Sequence, residues 1–126
     1  MWSNIGRTFA EYIFLKKFKE NSLNFEHIKI NGIEHLEDIK KNNEPVVFFS
    51  GHFANFELMT MELEKFGIKC AAIYRPLNNI FLNPVMEYLR MKYICPNQVP
   101  KGRAGMREII TKFKNGYSIA LMVDQR

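Results

Sequence analysis

The stretch Ser50-Gly51-His52-Phe53-Ala54-Asn55-Phe56-Glu57 sets a histidine and a carboxylate five positions apart, directly after the apolar run Pro45-Val46-Val47-Phe48-Phe49. At neutral pH a histidine accepts a proton from a hydroxyl when a carboxylate fixes its tautomer and balances the imidazolium that forms. His52 and Glu57 are thus candidate catalytic residues for activating an alcohol, with His52 as general base and Glu57 orienting the imidazole. Five residues of ideal helix turn through about 500°, roughly 140° off one face. The two side chains meet only if His52 precedes the helix and Glu57, in its first turns, reaches back. Gly51 and the small polar Ser50 and Asn55 permit that break. The competing reading is a structural or solvated His–Glu pair. Placement favours chemistry, because sites in open α/β sheets gather where the carboxyl ends of strands meet helix N-termini.

Other residues follow the same logic. Arg75 comes after the apolar run 68–74 and before Pro76, which puts it at the same sheet end as His52. There it acts as a bidentate clamp for a phosphate or headgroup, or as a salt-bridged surface arginine. Arg103 and Arg107, one turn apart, form either an anion site at a helix N-terminus or a solvated basic face. Gly102 and Gly105 add a phosphate-nest reading, without the Walker pattern. Asp124 and Gln125 close the apolar run 117–123, where they orient substrate, brace the His52 loop or cap a following helix. Asn55, Arg75, Arg103, Asp124 and Gln125 are the candidate substrate-binding residues. Ser50 lies two positions from His52, but no G-x-S-x-G elbow surrounds it. His27 and His35, in polar surroundings, read as surface residues.

The elements that must carry these groups alternate along the chain. Helix is expected over 2–20, a short strand over 26–30 and a helix over 33–41, where Ile33, Leu36 and Ile39 recur at helical spacing. The run 45–49 reads as a buried strand and 55–66 as a helix stopped by Gly67. Strands are expected over 68–74, 93–95 and 117–123, and helices over 79–91 and 103–114, the latter stopped by Gly116. Strand alternating with helix argues for an α/β fold, a largely parallel sheet with covering helices.

Composition sets the bounds. With 126 residues, 47% of them hydrophobic, the chain supports one modest core and reads as one partial domain over 1–126. A net charge of +5 favours anionic partners such as phosphates, acidic proteins or an anionic membrane surface. Scattered lysines without a zinc-finger or RNP-like pattern argue against nucleic acid. Cys70 and Cys95 lack any metal-ligand spacing and read as reduced, partly buried thiols. No run reaches the roughly 18 to 20 apolar residues that span a bilayer. The first 18 residues hold Trp2, Ile5, Phe9, Tyr12, Ile13, Phe14 and Leu15 before Lys16, Lys17 and Lys19. That segment either lies at a membrane interface or packs on the core.

Taken in order, Asn4-Ile5-Gly6-Arg7-Thr8, Gly51-His52-Phe53-Ala54-Asn55-Phe56-Glu57, Tyr74-Arg75-Pro76-Leu77, Gly102-Arg103 with Arg107, and Val123-Asp124-Gln125 resemble the lipid A biosynthesis acyltransferases, the lauroyl and myristoyl transferases of Gram-negative bacteria. His with a carboxylate five residues on is similar to the motif of glycerolipid acyltransferases generally. Tyr-Arg-Pro and Asp-Gln point to the lipid A branch. Ala54 and Phe56 stand where that family commonly has glycine and tryptophan. The resemblance implies a glycerolipid-acyltransferase-like fold without cofactor or metal. It implies transfer of a fatty acyl group from an acyl carrier protein thioester to a hydroxyl of a lipid A precursor, at the cytoplasmic face of the bacterial inner membrane. Members usually begin with a membrane-anchoring helix and continue well beyond Asp-Gln, so the chain reads as a truncated member. An inactive remnant, and a His-dependent thioester hydrolase, are the alternatives.

Overall fold

A computed structural model describes residues 2–20 and 28–124, with side chains from residue 6 onward. Helix α1 (Trp2–Glu11) runs through a 3-10 turn (Tyr12–Phe14) into α2 (Leu15–Glu20), so the helix expected over 2–20 is tightened at its middle. Then come α3 (Ile33–Asn42), β1 (Val47–Ser50), α4 (Glu57–Lys65), β2 (Cys70–Tyr74) and α5 (Leu82–Leu89). A π-helical turn (Arg90–Ile94) leads to β3 (Gln98–Pro100), α6 (Arg103–Lys114) and β4 (Ser118–Met122).

The strands form one parallel sheet in the order β1-β4-β2-β3. The chain is α/β, as the alternation of apolar runs and amphipathic segments requires. Two expected strands differ. Residues 28–30 form no strand, and Glu26 and His27 lie outside the described residues. Tyr93 and Ile94 belong instead to the π turn, which ends as the Cys95 N–H donates to the Arg90 carbonyl at 2.9 Å, and pairing with β2 begins three residues later at Gln98. Short apolar runs do not distinguish a buried strand from a buried helical turn.

Alternation along β2 divides the core. Cys70 and Ala72 pack with Leu15, Met61, Leu63, Ile68 and Ile94 on the face covered by α2, α4 and the π turn. Ala71 packs with Val99, Ile109 and Ile119 beneath α6. Both cysteines are buried and free, and burial pushes each thiol up to about 12. Gly105 lets α6 lie on β3: a Cβ there would stand 1.9 Å from the Pro100 carbonyl oxygen. Close approach to β3 thus requires a glycine at this position.

Candidate functional site

The site follows from strand order. β1 and β4 are parallel neighbours with Ser50 opposite Met122, and the Val123 N–H donates to the Ser50 carbonyl at 2.9 Å. Two residues beyond each strand, His52 and Asp124 therefore stand side by side. The Asp124 carboxylate takes both N–H groups of the histidine, with Oδ1 2.7 Å from Nδ1 and Oδ2 accepting the backbone N–H at 2.8 Å. The imidazole bond and then the backbone N–H hold the Asp124 pKa below the usual carboxylate range. An ionised carboxylate only accepts, so Nδ1 carries the proton and the neutral ring keeps its lone pair on Nε2. Phe56 meets the imidazole edge-on at 4.5 Å between ring centroids, an aromatic packing role at this position.

This arrangement corrects the expected His52–Glu57 pair. Glu57 begins α4, and its carboxylate is buried among other partners. Glu57 Oε1 accepts from Arg90 Nη2 at 2.6 Å and from Arg90 Nε at 3.1 Å, while Oε2 accepts the Tyr12 hydroxyl. Arg90 Nε also donates to the Tyr12 oxygen at 3.1 Å, closing a three-residue ring. Burial works against the Arg90 charge, but its hydrogen bonds to Glu57 and the Glu57 charge outweigh that and raise its pKa. Burial and the Glu57 charge push the Tyr12 phenol far above its ordinary range, so it stays a donor. Arg90 Nη1 is buried and has no hydrogen-bond partner among the described residues. A carboxylate within reach by sequence was thus drawn to a buried guanidinium, which needs a charged partner far more than a half-exposed imidazole does.

His52, Glu57 and Arg90 line a cavity of about 380 Å³ at the carboxyl edge of the sheet. Its walls mix Phe56, Ile73, Ile94, Met106 and Met122 with the cations Arg75 and Lys101. Lys101 follows β3 and its N–H donates to the Tyr74 carbonyl at 2.8 Å, which brings the ends of β2 and β3 together. Each strand end thus supplies one ionisable group. Arg75 stands at the expected sheet end. Arg103 is exposed at the start of α6 and is absent from the cavity wall, where Lys101 takes its place. Asn55 is not in the cavity wall: its Nδ2 donates to Glu11 at 2.8 Å, and its Oδ1 is buried without a hydrogen-bond partner among the described residues. Gln125 lies outside the described residues, and Asp124 is hydrogen-bonded to His52 through both carboxylate oxygens.

Sequence reasoning missed Arg90, Tyr12 and Lys101. The one available signal was a lone arginine inside an apolar helix, Tyr88-Leu89-Arg90-Met91. At the N-terminus, Leu15 is fully buried, and Phe9, Ile13 and Phe14 are exposed. Among the described residues, no helix is long and apolar enough to cross a membrane, and no group of three His, Cys, Asp or Glu side chains converges as metal ligands would.

A parallel α/β sheet whose carboxyl edge gathers a histidine, its carboxylate and several cations around one cavity has the layout of an α/β enzyme with its site at the strand ends. The family model for bacterial lipid A biosynthesis acyltransferases matches residues 1–126, the whole chain, and the protein belongs to that family. Membership makes it an acyltransferase by class. No curated protein matches the chain.

Proposed function

We propose that the protein transfers a fatty acyl group from an acyl carrier protein thioester to a hydroxyl of a lipid A precursor, with His52 as general base. The observation that carries this reading is the His52–Asp124 pair opening on a cavity with both apolar and cationic walls. In the reaction, Nε2 takes the hydroxyl proton as the alcohol oxygen bonds to the thioester carbon. Asp124 balances the imidazolium. Collapse of the tetrahedral intermediate breaks the C–S bond, and the thiolate leaves with the proton returned by the imidazolium. No covalent enzyme intermediate is needed.

The remaining groups divide the substrate between them. Arg75 and Lys101 suit phosphate or other anionic groups of either substrate. The apolar walls suit the acyl chain. Glu57 serves the site by holding Arg90 at the cavity wall. Exposed Phe9, Ile13 and Phe14 beside Lys16, Lys17 and Lys19 support work at the surface of the inner membrane.

Purified protein given an acyl carrier protein thioester, with and without a lipid A precursor, tests the reading. Acyl transfer that depends on the acceptor is expected. His52→Ala is expected to slow it by about 10² to 10⁴, the usual worth of general-base assistance. Thioester loss indifferent to the acceptor, or near-normal turnover in His52→Ala, overturns it.

A further inference from the structure

Three residues of the N-terminal segment touch the loop that carries His52. The Thr8 hydroxyl donates to the Ala54 carbonyl at 3.3 Å, Glu11 Oε2 accepts from Asn55 Nδ2 at 2.8 Å, and the Tyr12 hydroxyl donates to Glu57. Positions 8, 11 and 12 share one face of a helix, being three and four residues apart. Their partners follow in the same order along the loop. Helix and loop are therefore laced together side by side, at a sequence separation of 44 to 46 residues.

The lacing falls where the loop needs it. Ala54 has φ 46°, a left-handed conformation that a residue with a Cβ holds only under constraint, and its carbonyl is the one that Thr8 engages. Glu11 is itself oriented by Arg7, whose Nε donates to Oε1 at 2.9 Å and leaves Oε2 for Asn55. Tyr12 both donates to Glu57 and accepts from Arg90, so it fixes the ion pair at the cavity wall as well as the end of the loop. None of these three side chains is in the cavity wall. They act through other groups.

We infer that the N-terminal helix is a positioning element of the transfer site: Thr8, Glu11 and Tyr12 hold the 52–57 loop and the Glu57–Arg90 pair in register with Asp124, so that displacing this helix disarms His52 although none of the three side chains is itself in the cavity wall. The inference rests on the acyl-transfer reading for its kinetic consequence and on the fold alone for its geometric one.

The test uses the full chain and two variants. Tyr12→Phe removes one hydroxyl and keeps the ring. Glu11→Gln, milder, weakens the charged grip on Asn55. For Tyr12→Phe, kcat is expected to fall by about 10- to 100-fold with KM within about twofold, because a misplaced base slows chemistry and leaves substrate binding alone. Glu11→Gln is expected to lose about three- to tenfold. Combined with Glu57→Gln, Tyr12→Phe is expected to add almost nothing, since both act through one ring of bonds.

Imidazole NMR signals supply a readout independent of substrate. Those of His52 are expected to shift or broaden in Tyr12→Phe, with His35 on α3 as the unmoved reference. Should the wild type fail to transfer acyl groups while His52 responds in this way, the acyl-transfer reading falls and the positioning geometry stands. Superimposable His52 signals, or unchanged kcat in a transferring enzyme, overturn the inference. So does a Tyr12→Phe loss confined to KM or to the fraction of folded protein.

Discussion

Asp124→Asn separates the geometry of this site from the pairing that sequence spacing alone would suggest. Asp124 accepts two N–H groups from one residue, Nδ1–H at 2.7 Å and the backbone N–H at 2.8 Å. An asparagine offers one oxygen and one NH2 group in their place. If the oxygen stays on the backbone N–H, the NH2 faces Nδ1, which must then accept, and the proton moves to Nε2 where it blocks the base. If the oxygen stays on Nδ1–H, the NH2 confronts the backbone donor and the loop is pushed off. Either way the productive state is lost. In serine proteases the same change at a buried triad carboxylate lowers kcat by about 10⁴. Here the side chains are 30% and 36% exposed, so water screens part of the electrostatic contribution while the tautomer effect remains. A fall in kcat of about 10² to 10³ is expected, read as turnover of the acyl carrier protein thioester with acceptor present. A second readout is stability. The Asp124 pKa is lowered on folding, so its contribution is present above the ordinary carboxylate range and lost as pH falls through the lowered pKa. Denaturation midpoints of wild type and Asp124→Asn should therefore differ at pH 7 and converge in acid. A kcat within about threefold of wild type would refute the reasoning and return the orienting role to Glu57.

Glu57→Gln leaves the Arg90 guanidinium buried opposite a neutral amide, with side chains 14% and 7% exposed, and is expected to lower unfolding free energy by about 2 to 4 kcal/mol in urea titration. Gly105→Ala drives a methyl group to within 1.9 Å of the Pro100 carbonyl oxygen, and a loss of about 2 to 3 kcal/mol is expected. That is a drop in Tm of roughly 8 to 12 °C for a domain of this size. Ala54→Gly relieves the left-handed backbone but loosens the unfolded chain, so calorimetry should find it neutral to about 1 kcal/mol stabilising. Cys70 and Cys95, pushed up to about 12, should resist a thiol reagent at pH 8 in the folded protein, with about 10⁻⁴ of each thiol ionised, and both should react in guanidinium.

What could be read from the sequence was local. The β1 strand, the break at Gly51-His52 and the helix that follows are written in adjacent residues, and the α6 helix begins and ends where its periodicity and Gly116 put it. The family pattern also lay within short motifs. The identity of the histidine's carboxylate was not local. Asp124 is 72 positions from His52, and only the insertion of β4 between β1 and β2 makes them neighbours. Glu57, near in sequence, answered instead to Arg90, 33 positions away, and to Tyr12, 45 away. Burial decided that choice, and burial is a property of the assembled core. Arg103 against Lys101 turned on two residues of a tight turn, finer than helix periodicity resolves.

The parallel sheet is what makes these scattered residues one site. A strand of five residues spans about 16 Å. Were β4 antiparallel to β1, Asp124 would sit at the opposite edge of the sheet from His52, beyond the reach of any side chain. With all four strands running the same way, His52, Arg75, Lys101 and Asp124 are each delivered one or two residues past a strand end onto one edge. The sheet fixes their spacing and joins neighbouring strand ends, through Val123 to Ser50 and Lys101 to Tyr74. Further support comes from behind, where Glu57 and Arg90 tie α4 to the π turn and Tyr12 ties both to the N-terminal helix. On the proposed reading, the strand ends carry the chemistry and the buried ring carries the support. A change at His52 or Asp124 should act first on rate, the Asp124 change adding its pH-dependent stability difference, whereas a change at Glu57 or Arg90 should move stability and rate together.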